Sequence, residues 1–193
     1  MLENLSKYKV LLASKSPRRR ELLSTLRVPF SAVSLGGIDE SYPDDMPCEE
    51  VPQFLANKKA DAYLESLREN EMIITADTLV MMDGKIFGKP QDAEDAKNIL
   101  RQLSDRTHKV VSGVCILTTR QRTSFTSETK VKFARISDDD IDYYVDNFMP
   151  LDKAGAYGIQ EWIGCVAVET IEGSFYNVMG LPVHRLYKEL KLF

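Results

Sequence analysis

Tyr8-Lys9-Val10-Leu11-Leu12-Ala13-Ser14-Lys15-Ser16-Pro17-Arg18-Arg19-Arg20-Glu21-Leu22-Leu23 joins two patterns that are each readable alone. The run from Tyr8 to Ala13 is short and apolar, as a strand buried on both faces should be. Ser16 and Pro17 then give a helix start: a hydroxyl at the N-cap, and a proline at the first helical position, where no N–H is needed. A buried strand that runs straight into a capped helix is the first half of a strand–helix–strand unit, so the fold class expected is α/β.

Further along, a helix is expected over roughly Glu49 to Glu69, where Val51, Phe54, Leu55 and Ala62 share a face and Lys59 lies near it. Met72 to Ala76 reads as a second buried strand ending at Asp77. Thr78 to Met82 continues it to Asp83-Gly84, a two-residue hairpin signal. Ala93, Ala96, Leu100 and Leu103 repeat at helical spacing from Asp92 onward. Lys109 to Thr119 and Ser124 to Arg135 should form a long hairpin, with Phe125, Thr129, Val131 and Phe133 on one face. Ser137 caps a helix carrying Ile141, Tyr144, Val145 and Phe148 inward, which Pro150 stops. After the glycine-spaced loop from Leu151 to Gln160, strands are expected near Gly164 to Glu172 and Phe175 to Met179. A last helix from Pro182 turns Val183, Leu186, Tyr187 and Leu190 inward. Hairpins together with strand–helix–strand units imply a mixed sheet. No repeat or linker interrupts residues 1–193, so a single domain is expected.

Composition narrows the function. At 193 residues, 44% apolar and 28% charged, the chain can bury a core, and 25 basic against 29 acidic residues leave a net charge of -4. That balance argues against nucleic acid or an anionic membrane as the partner, so any anion site must be local. Cys48, Cys115 and Cys165 are odd in number and widely spaced, which reads as inert core thiols in a reducing compartment. No run nears the roughly 18 apolar residues of a membrane span, and no secretion leader is evident, so a cytoplasmic location is expected.

Chemistry concentrates in a few places. Free N–H groups at the start of the first helix, with Ser14 and Ser16 beside them, make an anion pocket. Arg18, Arg19 and Arg20 sit in the turn where cations oppose the helix dipole, an arrangement that a bound polyanion would offset; a plain capped helix with solvated arginines is the alternative. Asp77 ends an apolar strand with Thr78 beside it, a place where a carboxylate can take a proton from water or hold a metal, or simply close a turn. Lys89, between Gly88 and Pro90, fits a phosphate clamp as well as a solvated turn. The Gly84 to Pro90 stretch is too short for a P-loop and has proline where a hydroxyl should meet Mg²⁺. Asp77 lacks the second aspartate of a D-x-D phosphatase. His108 and His184 belong to no cluster, which leaves Ser–His catalysis and a histidine zinc site unsupported and reads as surface histidine. Asp152 to Gln160 carries two glycines that let backbone approach a ligand, with Gln160 at its end able to meet a base edge.

Ser14-x-Ser16-Pro17-Arg18-Arg19, Ala76-Asp77-Thr78, Gly88-Lys89-Pro90, Asp152-Lys-Ala-Gly-Ala-Tyr-Gly-Ile-Gln160 and Gly180-Leu-Pro182 together resemble the Maf nucleoside triphosphate pyrophosphatases over nearly the whole chain, with the glycine loop similar to the branch acting on dTTP and UTP. The resemblance implies a Maf/inosine-triphosphatase-like fold, an elongated mixed sheet flanked by helices, with two lobes around a central cleft. It implies hydrolysis to nucleoside monophosphate and pyrophosphate with Mg²⁺ or Mn²⁺, and a homodimer. By position, Asp77 is the proton acceptor, Arg18, Thr78 and Gln160 match the base-specificity positions, and Ser14, Arg19, Lys59 and Lys89 match the phosphate site. Glu40 matches an acidic position that joins Asp77 at the metal. Where the family usually has glycine after the glutamine, this chain has Glu161-Trp162, a departure that bears on the shape of the base pocket. A non-hydrolytic nucleotide-binding regulator of cell division, or a phosphatase removing the terminal phosphate, are the competing readings.

Overall fold

Strand β1, Lys9–Ala13, lies between two parallel neighbours, β2 (Phe30–Val33) and β3 (Glu71–Met82), in a computed structural model that describes residues 2–193. Leu12 is opposite Ala32 on one side and Ile74 on the other. The sheet has seven strands in the order β2-β1-β3-β5-β6-β7, with β4 (Lys85–Phe87) on β3; the others are β5 (Thr107–Leu117), β6 (Arg122–Phe133) and β7 (Val168–Glu172). Pairing of β3 with β4 and of β6 with β7 is antiparallel, so the sheet is mixed, as the sequence implies. The chain forms two compact units. One takes in the chain through Asp77, Ser112–Ser127 and Gly180–Phe193; the other takes in Thr78–Val111 and Glu128–Met179, and β3, β5 and β6 contribute residues to both.

In the first unit Ser16 caps helix α1 (Pro17–Ser24), its side chain accepting from the Arg19 N–H. Helix α2, Val51–Leu64, covers a core of Leu11, Ala56, Ala60, Tyr63, Ile73, Cys115 and Leu117. It ends five residues before the Glu69 expected, and it turns Ala60 and Tyr63 inward while Ala62 is exposed. Two features fix its position. The buried Thr75 hydroxyl donates to the Ala56 carbonyl at 2.6 Å. Gly113 lets β5 touch the first turn of α2, since a side chain there would meet the Pro52 carbonyl oxygen and Gln53 nitrogen at 2.3 Å. The last helix of the chain, Val183–Leu190, buries Val183, Leu186 and Leu190, with Tyr187 only partly covered.

The second unit opens with the β3–β4 hairpin. Asp83 and Gly84 both have positive φ, 52° and 73°, as the Asp-Gly signal requires. Asp92 and Ser137 cap helices α3 (Ala93–Leu103) and α4 (Asp138–Phe148), each accepting from the N–H three residues on. Leu100, Leu103, Phe133, Ile141 and Tyr144 are among its core residues. Phe148 lies outside that core, exposed but stacked on Tyr144 at 5.1 Å.

Three expectations are corrected in this unit. Trp162–Ala167 is helix α5, so the strand expected from Gly164 begins only at Val168; Gly164 carries no side chain because one would strike the Ile159 carbonyl oxygen at 1.8 Å. Phe175–Met179 is helix α6 and not a strand, with the final helix therefore α7. There the Ser174 carbonyl accepts from Asn177 and Val178, and the buried Asn177 amide donates to the Val110 carbonyl at 3.0 Å and to the Thr129 hydroxyl at 3.1 Å. That tertiary anchoring overrides the strand propensity of Phe, Tyr and Val. The third concerns His108, which is 1% exposed and lies against Phe133 and Tyr157, not at the surface. The cysteines divide likewise: Cys115 is buried, Cys48 partly so, and Cys165 exposed. No helix among the described residues is long and apolar enough to cross a membrane.

Candidate functional site

β1 pairs in parallel with only the first residues of β3, from Lys9 opposite Glu71 to Leu12 opposite Ile74, so Ser14 follows the end of β1 while Asp77 stands beyond the paired stretch inside β3, which does not end there but runs on to Met82. Ser14 is buried, and its hydroxyl accepts from the Ser16 N–H at 3.1 Å, shaping the turn into α1. Arg19 points from α1 back across this end. Its Nε donates to the Gly180 carbonyl at 2.8 Å and its Nη1 to the Ala76 carbonyl at 2.9 Å, next to the aspartate. Burial pulls its guanidinium below the ordinary arginine value, with Asp77 acting in the opposite direction.

Asp77 is 9% exposed and its Oδ1 accepts from Lys59 Nζ at 2.6 Å. Lys59 comes from α2, one turn beyond the Ala56 carbonyl that Thr75 holds, so the same strand that carries Asp77 sets the height of its partner. The same ammonium meets Glu40 Oε1 at 3.1 Å. Glu40 sits in the irregular segment before α2, held by a neighbouring pair: Lys58 Nζ reaches Asp39 Oδ2 at 2.8 Å, and Ser41 donates to Asp39 from both its N–H and its hydroxyl. These bonds, led by the one from Lys58, keep the Asp39 carboxyl below the usual carboxylate range. Consecutive lysines thus hold consecutive acids.

Arg18 is half-buried in the first turn of α1. Thr78, Lys89 and Gln160 belong to the second unit. Lys89 and Gln160 are exposed, and their two segments are tied together because the Gly155 N–H donates to the Gly88 carbonyl at 3.1 Å. Gly155 has φ 70° and presses on Val80, leaving no room for a side chain. The loop before Gln160 folds into two short 3₁₀ turns, Pro150–Asp152 and Ala154–Ala156, with Tyr157 buried behind them. Its hydroxyl is 2.8 Å from His108 Nε2.

The sequence marks Glu161 as a departure at the base pocket but gives no sign of its partners, Lys153 and Tyr144. Lys153 is 8% exposed, and its ammonium meets Asp152 at 2.8 Å and Glu161 at 3.2 Å. Tyr144 donates to Glu161 and accepts from the Gly158 N–H at 3.0 Å. The charge directly after the glutamine is the signal, but Tyr144 lies on α4, whose inward face reads only as apolar, and Lys153 lies in the loop between the two 3₁₀ turns.

Residues 9–193 match the family model for Maf-like protein. A Phocaeicola vulgatus protein named dTTP/UTP pyrophosphatase is 53% identical over 191 residues, 99% of each chain. A Parabacteroides distasonis protein of the same name is 52% identical over 193 residues, 100% of each. Among solved structures, the Staphylococcus aureus Ham1 protein is similar over 65% of this chain and 72% of its own, at 14% identity and a TM-score of 0.49. A family match that begins at the first residue of β1 and runs to Phe193, with half the positions shared by full-length relatives, makes this chain a member of the Maf family.

Proposed function

We propose that this chain hydrolyses dTTP and UTP to the nucleoside monophosphate and pyrophosphate, with Asp77 accepting the proton of the attacking water. The observation that carries the reading is the convergence of Asp77, Lys59 and Glu40 in a chain that shares about half its residues with proteins named dTTP/UTP pyrophosphatase. A carboxylate inside a largely buried strand is rigidly held, which general-base chemistry needs before anything else. Ser14, Arg19, Lys59 and Lys89 are assigned to the phosphates, and Arg18, Thr78 and Gln160 to the base. Held in one orientation, the Gln160 carboxamide oxygen can accept from N3–H and its NH2 donate to O4 of uracil and thymine; cytosine reverses both groups, with a bare N3 and an N4 amino group.

The residues present suit a hard divalent cation. Asp77 and Glu40 bring carboxylate oxygens to within 2.6 and 3.1 Å of one positive atom, Lys59 Nζ. No group of three or more possible metal-binding side chains occurs among the described residues, and Mg²⁺ or Mn²⁺ held by one or two carboxylates would take its other ligands from water and the triphosphate. When bound, such an ion neutralises charge on the phosphoryl oxygens. Asp77 and Glu40 would hold it. With three cysteines and no disulfide among them, the enzyme acts in the reducing cytoplasm.

The test is a panel of nucleoside triphosphates with Mg²⁺ or Mn²⁺, assaying pyrophosphate and orthophosphate separately. Pyrophosphate from dTTP and UTP in excess over CTP is the expected result. Orthophosphate alone would mean terminal-phosphate removal, and binding without either product would mean a nucleotide sensor.

A further inference from the structure

The departure at Glu161 is built into the loop that presents Gln160. Its carboxylate belongs to a closed ring of bonds. The Glu161 N–H donates to the Gly158 carbonyl at 2.9 Å, the Gly158 N–H donates to the Tyr144 hydroxyl at 3.0 Å, and that hydroxyl donates to Glu161 Oε2. Lys153 Nζ closes on the other carboxylate oxygen, Oε1, at 3.2 Å and reaches Asp152 at 2.8 Å. Tyr144 is fully buried and Lys153 nearly so, while Gln160, next to Glu161, is exposed.

Gly158 shows how tightly the two neighbours are stacked. A side chain there would meet the Glu161 carboxyl carbon at 2.8 Å and Gln160 Nε2 at 3.1 Å, so the carboxylate and the carboxamide lie over the same glycine. A Lys–carboxylate pair this covered is a poor source of stability, because removing both charges from water offsets most of their attraction. Such a pair can fix a conformation, and the conformation fixed here is that of Gly158 to Glu161. Burial first, and the hydrogen bond to Glu161 after it, raise the Tyr144 hydroxyl well above its ordinary value, so it stays protonated and keeps donating.

We propose that Glu161 is a positioning residue for base selection: anchored by Tyr144 and Lys153, its carboxylate holds the Gly158–Glu161 turn so that the Gln160 carboxamide is offered in one orientation. This rests on the reading that Gln160 meets the pyrimidine.

Four variants test it: Glu161→Gln, Glu161→Ala, Gln160→Ala and the Glu161→Ala/Gln160→Ala double variant. For each, kcat/KM is measured on dTTP, UTP and CTP, with circular dichroism and thermal unfolding as fold controls. In Glu161→Ala the preference for dTTP over CTP should fall about tenfold, and adding Glu161→Ala to Gln160→Ala should lower it no further, since one residue acts through the other. Glu161→Gln keeps the size and an acceptor for Tyr144 but gives up the charge that Lys153 meets, so its preference should fall measurably, though less than in Glu161→Ala, and it keeps the test open if the alanine variant does not fold. Folded Glu161 variants with a wild-type ratio would overturn the proposal. So would equal losses on all three substrates, or a loss in the double variant equal to the sum of the singles. If Gln160→Ala itself leaves the ratio unchanged, the assignment of Gln160 to the base fails first, and the proposal falls with it.

Discussion

Around Asp77, each polar group arrives from a different stretch of chain: Arg19 from α1, Glu40 from the segment before α2, Lys59 from α2 and the aspartate from β3. Around Gln160 most of the groups are neighbours in sequence, Asp152, Lys153, Gly158 and Glu161, joined by Tyr144 from α4 and by the Gly88 carbonyl that holds Gly155. For Arg19, Lys59 and Asp77 the first arrangement depends on strand register and helix height, so it is as rigid as the elements that carry them, while Glu40 comes from an irregular segment. The second depends on a small network of its own, which can change without disturbing the strands. Chemistry that must be the same for every substrate belongs on the first kind of support, and discrimination between substrates on the second.

Substitution at Asp77 should have the largest effect. Asp77→Asn keeps the volume and a bond to Lys59 but cannot accept a proton, and turnover should fall by about 10²–10⁴-fold on dTTP and UTP alike. A folded variant retaining over roughly a tenth of the wild-type rate would remove Asp77 as the base. A change in the dTTP-to-CTP ratio would break the division of labour.

Acid should act next, on the loop region. His108 is buried and neutral, its pKa lowered by burial to about 4 from 6.5. The unfolded chain therefore binds a proton before the folded one does. Stability present above pH 6.5 is lost as pH falls toward 4, up to about 3 kcal/mol, and no more is lost below that. Denaturant unfolding of wild type and His108→Gln at pH 7.5, 5.5 and 4 measures it: the gap between them should shift through that window, and a parallel pair of curves would count against a neutral His108.

Arg19→Ala comes third. It leaves the Gly180 and Ala76 carbonyls without their charged donor, and should lower unfolding free energy by about 2 kcal/mol even without nucleotide. An unchanged unfolding curve would mean that Arg19 serves the substrate alone. The smallest effect is expected at the exposed Lys89 and Gln160, where alanine should alter stability by under about 0.5 kcal/mol, so that any change in kinetics is a change in substrate handling.

Local rules made much of the architecture legible. The Ser16–Pro17 cap, the Asp83-Gly84 turn and the alternation of Phe125, Thr129, Val131 and Phe133 are each decided within a few residues. Strand β2 escaped notice because it is four residues long with two of them exposed, which leaves little pattern to read. Helix α6 was misread because the anchor of Asn177 lies on Val110 and Thr129, far away in the chain. The site divides in the same manner. Asp77 and the arginines stand out by type and place, whereas the convergence of Glu40 and Asp77 on Lys59 depends on how α2 lies on the sheet. His108 looked like an isolated histidine because Tyr157, its partner, is 49 residues away.

The bond from Arg19 to the Gly180 carbonyl spans 161 residues, and that separation is also an interval of time. At roughly 5–20 residues per second, synthesis delivers the acceptor on the order of ten seconds after its donor. Until then the carbonyl to which Arg19 Nε donates does not exist, and β1 and α1 wait for the stretch that precedes α7. This end of the sheet is thus started early and finished late, so a ribosome that pauses ahead of Gly180 holds a nascent chain with Asp77 already made and the Arg19–Gly180 bond still to come.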